Sequence, residues 1–482
     1  MSLERKAVRG AAWTIGTSVG ARIAGVAGTI VIANYIAPDV IGEVMVAVVL
    51  MLSANQLSIF GFGQYVVAKP NCGRHAVFHA TFFHLTFGAA ALLLLPFVGF
   101  LGPVLGASDL WLYLPGMIAA GVIGRIGYMP HRILVRDLHF RAVSLVLTAR
   151  ELVFTAVSVG LAMADWGGMS IVAGNLAREA VGAIAFVALA PRREWLSYAK
   201  LDRATTRDLF RFGTPLWLST NAHFASAWWD NLLMSSIFGT SRMGLYNYAY
   251  NIANVPAVNI GEPIGDVLLP SFARLETKAM AKVLQRSTAL LAVIVFPLAV
   301  GLGVVAPTLV AAILPDKWQP MAPYLTVLSA LSVARPIGWT VASYLQARDR
   351  PMALMWLELF KLVALMIFIA SLGHAFGPIY ACVGVGLAFG LHSLASLIYV
   401  DRLDGVGIGP VLLSLAGPLL ACAVMVAAVL GVRAMLPELH PILALAAEVA
   451  AGAIAFTPSV FLFAPKVSRD FIGLLARAFR RR

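Results

Sequence analysis

From residue 10 to residue 463 the chain is a succession of apolar runs, each about 21 to 30 residues long, parted by Pro, Gly or short charged loops. The hydrocarbon core of a bilayer needs about 20 apolar residues per helix, and only elements that satisfy their own backbone hydrogen bonds can cross it. Each run therefore predicts a membrane-spanning α-helix. Composition agrees: 60% of the 482 residues are hydrophobic and 12% are charged, with a mean hydropathy of +0.85. A soluble domain carries about a quarter charged residues, and none fits between the runs.

The spans fall at about 10–33, 43–66, 77–101, 109–129, 142–163, 168–190, 211–237, 243–268, 284–313, 321–345, 352–372, 377–400, 408–432 and 440–463. That makes fourteen, with a range of twelve to fourteen, because the 284–313 run is long enough to tilt or to kink at Pro297 and Pro307. With the first residues inside, inward segments hold 27 of the 36 Lys and Arg, against three in outward loops. An excess of cationic residues marks cytoplasmic loops, so both termini are expected in the cytoplasm. The net charge of +13 is accounted for by this bias and by attraction to anionic headgroups; no nucleic acid is implied. The final "RAFRRR" reads as a topology anchor, and the first span is too long for a signal-peptide core and is expected to stay attached.

Two stretches resemble each other: "IANYIAPDVIGEVMVAV" at 32–48 and "SSIFGTSRMGLYNYAYN" at 235–251. Setting Gly42 on Gly244, an offset of 202, also sets Ile36 on Phe238, Ile41 on Met243 and Arg9 on Arg211. The same offset lays the first six spans over the next six. Six is even, so both halves start on the same side and the repeats are parallel, with a pathway expected between them. The fold predicted is an all-α polytopic membrane protein of about 14 transmembrane helices, two six-helix lobes related by a parallel pseudo-repeat plus a C-terminal helix pair. Its parts are an N-lobe at 1–190, a cytoplasmic interfacial linker at 191–210 expected to be helical, a C-lobe at 211–400, and the last two spans with a basic tail at 401–482. The glycines at 42 and 244 are read as architecture, at a tight hairpin needing either close packing or an unusual backbone angle.

Several stretches resemble a known family. "RGAAWTIGTSVGARIAGVAGTIVIANYIAPDVIGEVMVAV", "FGFGQYVVAKP", "WWDNLLMSSIFGTSRMGLYNYAYNIANVPAVNIGEPIGDVLLPSFARL", "ILPDKWQPMAPYLTVLS" and "LQARDRP" look like the polysaccharide transporters, the Wzx-type flippases, of the multidrug/oligosaccharidyl-lipid/polysaccharide exporter superfamily. The likeness runs in order from about residue 5 to about residue 400 and is most specific at 229–274; beyond 400 it is hydropathy alone. It implies a bacterial inner-membrane transporter that moves an undecaprenyl-diphosphate-linked oligosaccharide to the periplasmic leaflet for surface polysaccharide, exopolysaccharide or lipopolysaccharide biosynthesis. It also implies two lobes in a V, with a polysaccharide polymerase and chain-length machinery as partners.

Charges in mid-membrane are costly, so they face a cavity or a partner. Arg22 lies opposite a ladder of small residues, Gly16, Gly20, Ala24 and Gly28, which suits close helix packing. It is expected to face a wet cavity and to bind phosphate or an acidic sugar through a forked pair of hydrogen bonds, the alternative being an ion pair with an acid on another helix. In the eighth span Asn247, Asn251, Asn254 and Glu262 share a quarter of the helix face, beside Tyr246, Tyr248, Tyr250 and Asp266. Amides and phenols suit sugar hydroxyls, although part of this stripe could instead bond neighbouring helices. Asn55, Gln56 and Arg335 join the substrate pathway, and Asp230 or Glu262 is the carboxylate expected to couple transport to H⁺ or Na⁺. Arg150, Glu151, Arg178 and Glu179 are expected to pair across spans five and six, and Glu358 with Lys361 along one helix.

Cys72, Cys382 and Cys422 show no pairing pattern, and His75, His79 and His84 show no metal-binding spacing. No catalytic group, cofactor or metal is expected. The mechanism expected is alternating access, with the headgroup in a cationic cleft and the polyprenyl tail in lipid. The competing readings are a lipid II flippase and a cation-coupled multidrug exporter of the same superfamily; the short outer loops leave no room for a membrane enzyme's catalytic groups.

Overall fold

The computed structural model describes residues 24–25, 27–256, 268, 272 and 275–480. Among the described residues every regular element is helical. They comprise α1 (Pro38–Leu57), α2 (Phe62–Ala68), α3 (Gly73–Gly99), α4 (Leu110–Arg136), α5 (Phe140–Met163), α6 (Met169–Leu189), α7 (Arg203–Pro256), α8 (Thr277–Ile313), α9 (Ala322–Ala330), α10 (Arg335–Ala347), α11 (Pro351–Phe376), α12 (Pro378–Asp404), α13 (Ile408–Met435), α14 (Pro441–Phe463) and α15 (Pro465–Arg480). Eleven helical stretches among the described residues are long and apolar enough to cross a membrane. The other three expected spans fall on residues before α1 and on α7 and the residues after it. Outward-facing side chains such as Leu93 and Leu413, 72% and 75% exposed, are what a hydrocarbon solvent permits and water would penalise.

The chain forms two compact units, Met1–Gly244 and Leu245–Arg482. In the first, α4 packs on α1, α3 and α6, and α5 on α6. In the second, α8 packs on α9, α13 and α14, and α11 pairs with α12. The added pair α13 and α14 is tied to α8 by Arg433, whose guanidinium donates to both Glu448 oxygens at 2.8 Å and to the Val304 carbonyl, while Thr308 donates to Glu448.

The repeat is visible in where helices break. The chain leaves helical geometry at Ala37, before Pro38 starts α1, and α7 breaks at Gly239, which is Ala37 plus 202. Element starts then drift, from 204 between Gly73 and Thr277 to 209 between Met169 and Pro378. Gly42 and Gly244 sit inside helices, one turn past these breaks, and neither has positive φ. Their role is close approach: a Cβ on Gly42 would lie 1.9 Å from the Thr240 carbonyl oxygen, and one on Gly244 2.0 Å from that of Pro38. Ile41 and Met243, matched by the same offset, are both fully buried. Gly28, at the end of the small-residue ladder, faces Thr155 of α5.

Two expectations change. The second span is not one helix from 43 to 66: α1 stops at Leu57, and Phe60 and Gly61, with φ of 44° and 68°, turn the chain into α2. Such angles end a helix, and a close crossing holds the turn, since a Cβ on Gly213 of α7 would lie 1.9 Å from the Phe60 carbonyl oxygen. The linker 191–210 is not one interfacial helix either. A single helical turn, Arg192–Trp195, is followed by non-helical chain up to Asp202, whose carboxylate accepts the Thr205 N–H at 2.8 Å and caps α7. Trp195 is buried with Phe62, Val77, Met129 and Leu209, and Glu194 pairs with Arg136 at 2.5 Å, so this linker is anchored to the first unit.

Adding a methyl to a helical glycine gains about 1 kcal/mol of helix propensity, whereas forcing a backbone apart costs about 1–3 kcal/mol. Gly42→Ala and Gly244→Ala are therefore expected to lower the thermal midpoint of the detergent-purified protein. Gly390→Ala and Gly431→Ala, at positions with nothing within 4 Å, are expected to leave it equal or higher.

Candidate functional site

Where α1 ends, the Asn55 and Gln56 carbonyls accept the Ser58 and Ile59 N–H groups in a tightened last turn, and Arg125, in the middle of α4, adds a buried charged donor there. Its Nε donates to the Asn55 Oδ1 at 2.9 Å, Nη2 to the Asn55 carbonyl at 3.1 Å and to the Ser58 hydroxyl, and Nη1 to the His84 carbonyl of α3 at 3.0 Å. Trp217 of α7 caps the next carbonyl, donating to Leu57 at 2.7 Å. A cation at a helix C-terminus is favoured by the helix dipole. Arg125 is 5% exposed and, among the described residues, it makes no ion pair.

This guanidinium lines a cavity of about 190 Å³ in the first unit, together with Asn55, His84, Tyr128, His131, Arg150 and Glu179. Arg150 of α5 pairs with Glu179 of α6 at 2.6 Å, and Arg178 lies 3.4 Å from Glu179 and 3.9 Å from Glu151. The His84 ring stacks on Tyr128 with centroids 4.3 Å apart. Among the described residues the wall is therefore cationic on balance, with its one acid shared between two arginines. Asn55 was marked by the sequence; Gln56, on the adjacent face, is half-buried and does not line the cavity.

A second polar cluster lies in the other unit. Arg335, at the start of α10, donates through Nη1 to the Asn254 Oδ1, and its guanidinium lies 4.7 Å from the Phe389 ring centre and 5.7 Å from that of Tyr250. Arg335, Tyr250 and Phe389 line a small cavity with Ser332 and Gly386. Asn251 donates to Asn247 at 3.0 Å along α7, so the stripe of amides forms two pairs, one internal and one, at Asn254, with a cation. Two of its tyrosines belong to the core instead: Tyr246 is fully buried, and Tyr248 stacks on Trp318 at 4.4 Å. Lys361 bonds Glu358 at 2.5 Å, with His392 at 3.8 Å from the same carboxylate.

Arg22, Glu262 and Asp266 lie outside the described residues. Asp230 is 1% exposed, and its Oδ1 accepts from the Asn231 backbone N–H and side-chain amide at 2.8 and 2.9 Å. Arg125 was missed, although its position in the fourth span is the same signal that singled out Arg22. Also missed was a grouping at the polar end of the first unit, where His75 and His79 meet Asp202. The Asp202 carboxyl is held below the usual carboxylate range chiefly by hydrogen bonds from Thr205, with His75 adding to it. Nearby, hydrogen bonds from Lys69 and Tyr65 do the same for Asp208.

The architecture is that of a polytopic helical transporter. It superposes on the lipid II flippase MurJ in its inward closed conformation with a TM-score of 0.72, at 13% identity over 95% of this chain and 98% of that one. An inward-facing multidrug resistance transporter of the MATE family gives a TM-score of 0.65, at 14% identity over 80% and 95%. The family described as "Polysaccharide biosynthesis protein" matches residues 31–323, and the chain belongs to that family. It is 25% identical to the lipopolysaccharide biosynthesis protein WzxC of Escherichia coli (strain K12), over 83% of this chain and 80% of WzxC. It is 24% identical to the succinoglycan biosynthesis transport protein ExoT of Rhizobium meliloti (strain 1021), over 69% and 68%.

Removing Arg125 loses four hydrogen bonds from a buried charged donor, each worth about 1.5–3 kcal/mol. Arg125→Ala is expected to lower the thermal midpoint markedly, and Arg125→Lys to recover little, because one ammonium cannot span acceptors on α1 and α3 together. Arg335→Ala, losing one amide contact and two ring contacts, is expected to cost clearly less in the same unfolding measurement.

Proposed function

We propose that this protein is a flippase that carries undecaprenyl-diphosphate-linked oligosaccharide repeat units from the cytoplasmic to the periplasmic leaflet of the bacterial inner membrane. It works by alternating access, with both termini in the cytoplasm. The observation that carries this reading is the charge on Arg125: a guanidinium deep in an apolar helical unit, held by neutral acceptors and lining a cavity whose one acid is already engaged. Such a site favours an anion over the organic cations of a drug exporter, and a diphosphate is the charged part of a polyprenyl-linked sugar. The excess of Lys and Arg in the inward loops supports the orientation. Family membership and the likeness to the lipopolysaccharide biosynthesis protein WzxC and the succinoglycan biosynthesis transport protein ExoT support the cargo class.

Arg22, Asn251, Asn254 and Arg335 are assigned to the same pathway, the amides meeting sugar hydroxyls and the cations meeting phosphate or acidic sugars. Asp230, and Glu262 beyond the described residues, are the carboxylates assigned to H⁺ or Na⁺ coupling. A polysaccharide polymerase and chain-length machinery would take the flipped product.

In a deletion strain, lipid-linked oligosaccharide is expected to accumulate on the inner leaflet, and the surface polymer to disappear. Restoration by the wild type, but not by Arg22→Ala or Arg335→Ala variants present in the membrane at wild-type level, is the expected pattern. Normal polymer from both variants would dismiss the cationic pathway. Rescue of a strain depleted of its lipid II flippase, without any effect on surface polymer, would instead assign lipid II as the cargo.

A further inference from the structure

At the polar end of the first unit, α3 begins with Gly73 and carries His75 and His79 one helical turn apart, on one face. Asp202, more than 120 residues later in sequence, brings a carboxylate against both rings. Its Oδ2 lies 3.4 Å from the His75 Nε2 and 3.4 Å from the His79 Nε2. All three ligand atoms lie within 4.8 Å of one another. That carboxylate oxygen is buried and accepts no hydrogen bond, an unfavourable state for a charged atom. We propose that His75, His79 and Asp202 form a binding site for a divalent transition metal, Zn²⁺ by donor set, that clips the start of α7 to α3.

Three features support the assignment. Donors about 2.0–2.1 Å from a tetrahedral Zn²⁺ stand about 3.3–3.4 Å from one another, which is the separation of both nitrogens from the carboxylate oxygen. The His79 Nδ1 bonds the His75 carbonyl at 2.8 Å while its Nε2 accepts the Asp202 backbone N–H at 2.9 Å. The ring is therefore the tautomer whose Nε2 lone pair faces the site, oriented by a backbone carbonyl in the manner usual for metal-bound histidine. The two Asp202 oxygens also divide their tasks: Oδ1 caps α7 through Thr205, and Oδ2 is left for the metal. On binding, the His75 Nε2 gives up its contact with the Lys200 carbonyl, now 3.1 Å, and the His79 Nε2 exchanges the Asp202 N–H for the ion. Two imidazoles and a carboxylate leave a fourth position for water.

The test uses the full-length protein in nanodiscs with its affinity tag removed, titrated with Zn²⁺ against a chromophoric chelator and, separately, with Co²⁺ followed by visible absorption. One saturable equivalent is expected, with absorption bands of a nitrogen and oxygen donor set. His75→Ala removes a partly exposed ligand, and Asp202→Asn retains the helix cap; each is expected to weaken the metal at least tenfold without loss of folded protein. Zn²⁺ should also slow trypsin cleavage at Lys200 and Arg203 several-fold in the wild type and not in either variant. Absence of a saturable equivalent, wild-type affinity in both variants, or binding that leaves the linker equally cleavable would overturn the proposal.

Discussion

Where α1 ends inside an apolar bundle, one buried guanidinium gathers the Asn55 carbonyl and amide oxygens, the Ser58 hydroxyl and the His84 carbonyl. Arg125 draws together α1 through Asn55 and Ser58 and α3 through the His84 carbonyl, from a helix that also packs on α6. In water such bonds are exchanged for others at little net cost; here the alternative is no partner at all. The same residue lends the cavity its charge. Under the proposed function support and transport fall on one side chain, and a substitution there confounds the two unless stability is measured beside transport.

Other interior charges are settled differently. Arg150, Arg178 and Glu179 form a compact cluster between α5 and α6, Lys361 and Glu358 close on each other along α11, and Arg433 grips Glu448 between α13 and α14. A buried pair is weak evidence of net stabilisation, yet losing one partner strands the other. These clusters fasten helices that have little hydrophobic reason to associate in lipid. Arg335 stands apart from them, satisfied by an amide and two aromatic faces, which leaves its charge uncancelled.

The spans were readable because the bilayer imposes length and apolarity on each segment separately. The repeat was readable too, and the breaks at Ala37 and Gly239 follow its offset, but the matched glycines mark where backbones touch rather than where the chain reverses. That distinction depends on a neighbouring strand of chain, the Thr240 and Pro38 carbonyls, which no local pattern encodes. The pairing of spans five and six was expected because adjacent charges point about 100° apart; Arg150 does reach across to Glu179, yet Arg178 also lies 3.4 Å from Glu179, its own neighbour. The role of Asn55 was legible as polarity alone; its partner lies 70 residues away. His75 and His79 were noticed and set aside for the same reason, since the carboxylate that completes their grouping comes from the far end of the linker.

The helix that starts at Arg203 runs unbroken to Gly239. At 1.5 Å per residue that stretch is about 54 Å long, well beyond the roughly 30 Å of a bilayer's hydrocarbon core. It is therefore a lever with a protruding arm: a tilt of only about 10° at its base sweeps the far end through about 9 Å for a rod of that length. The left-handed glycine at that far end, with φ of 79°, is where the rod ends, so beyond it the helix geometry no longer carries such a sweep rigidly.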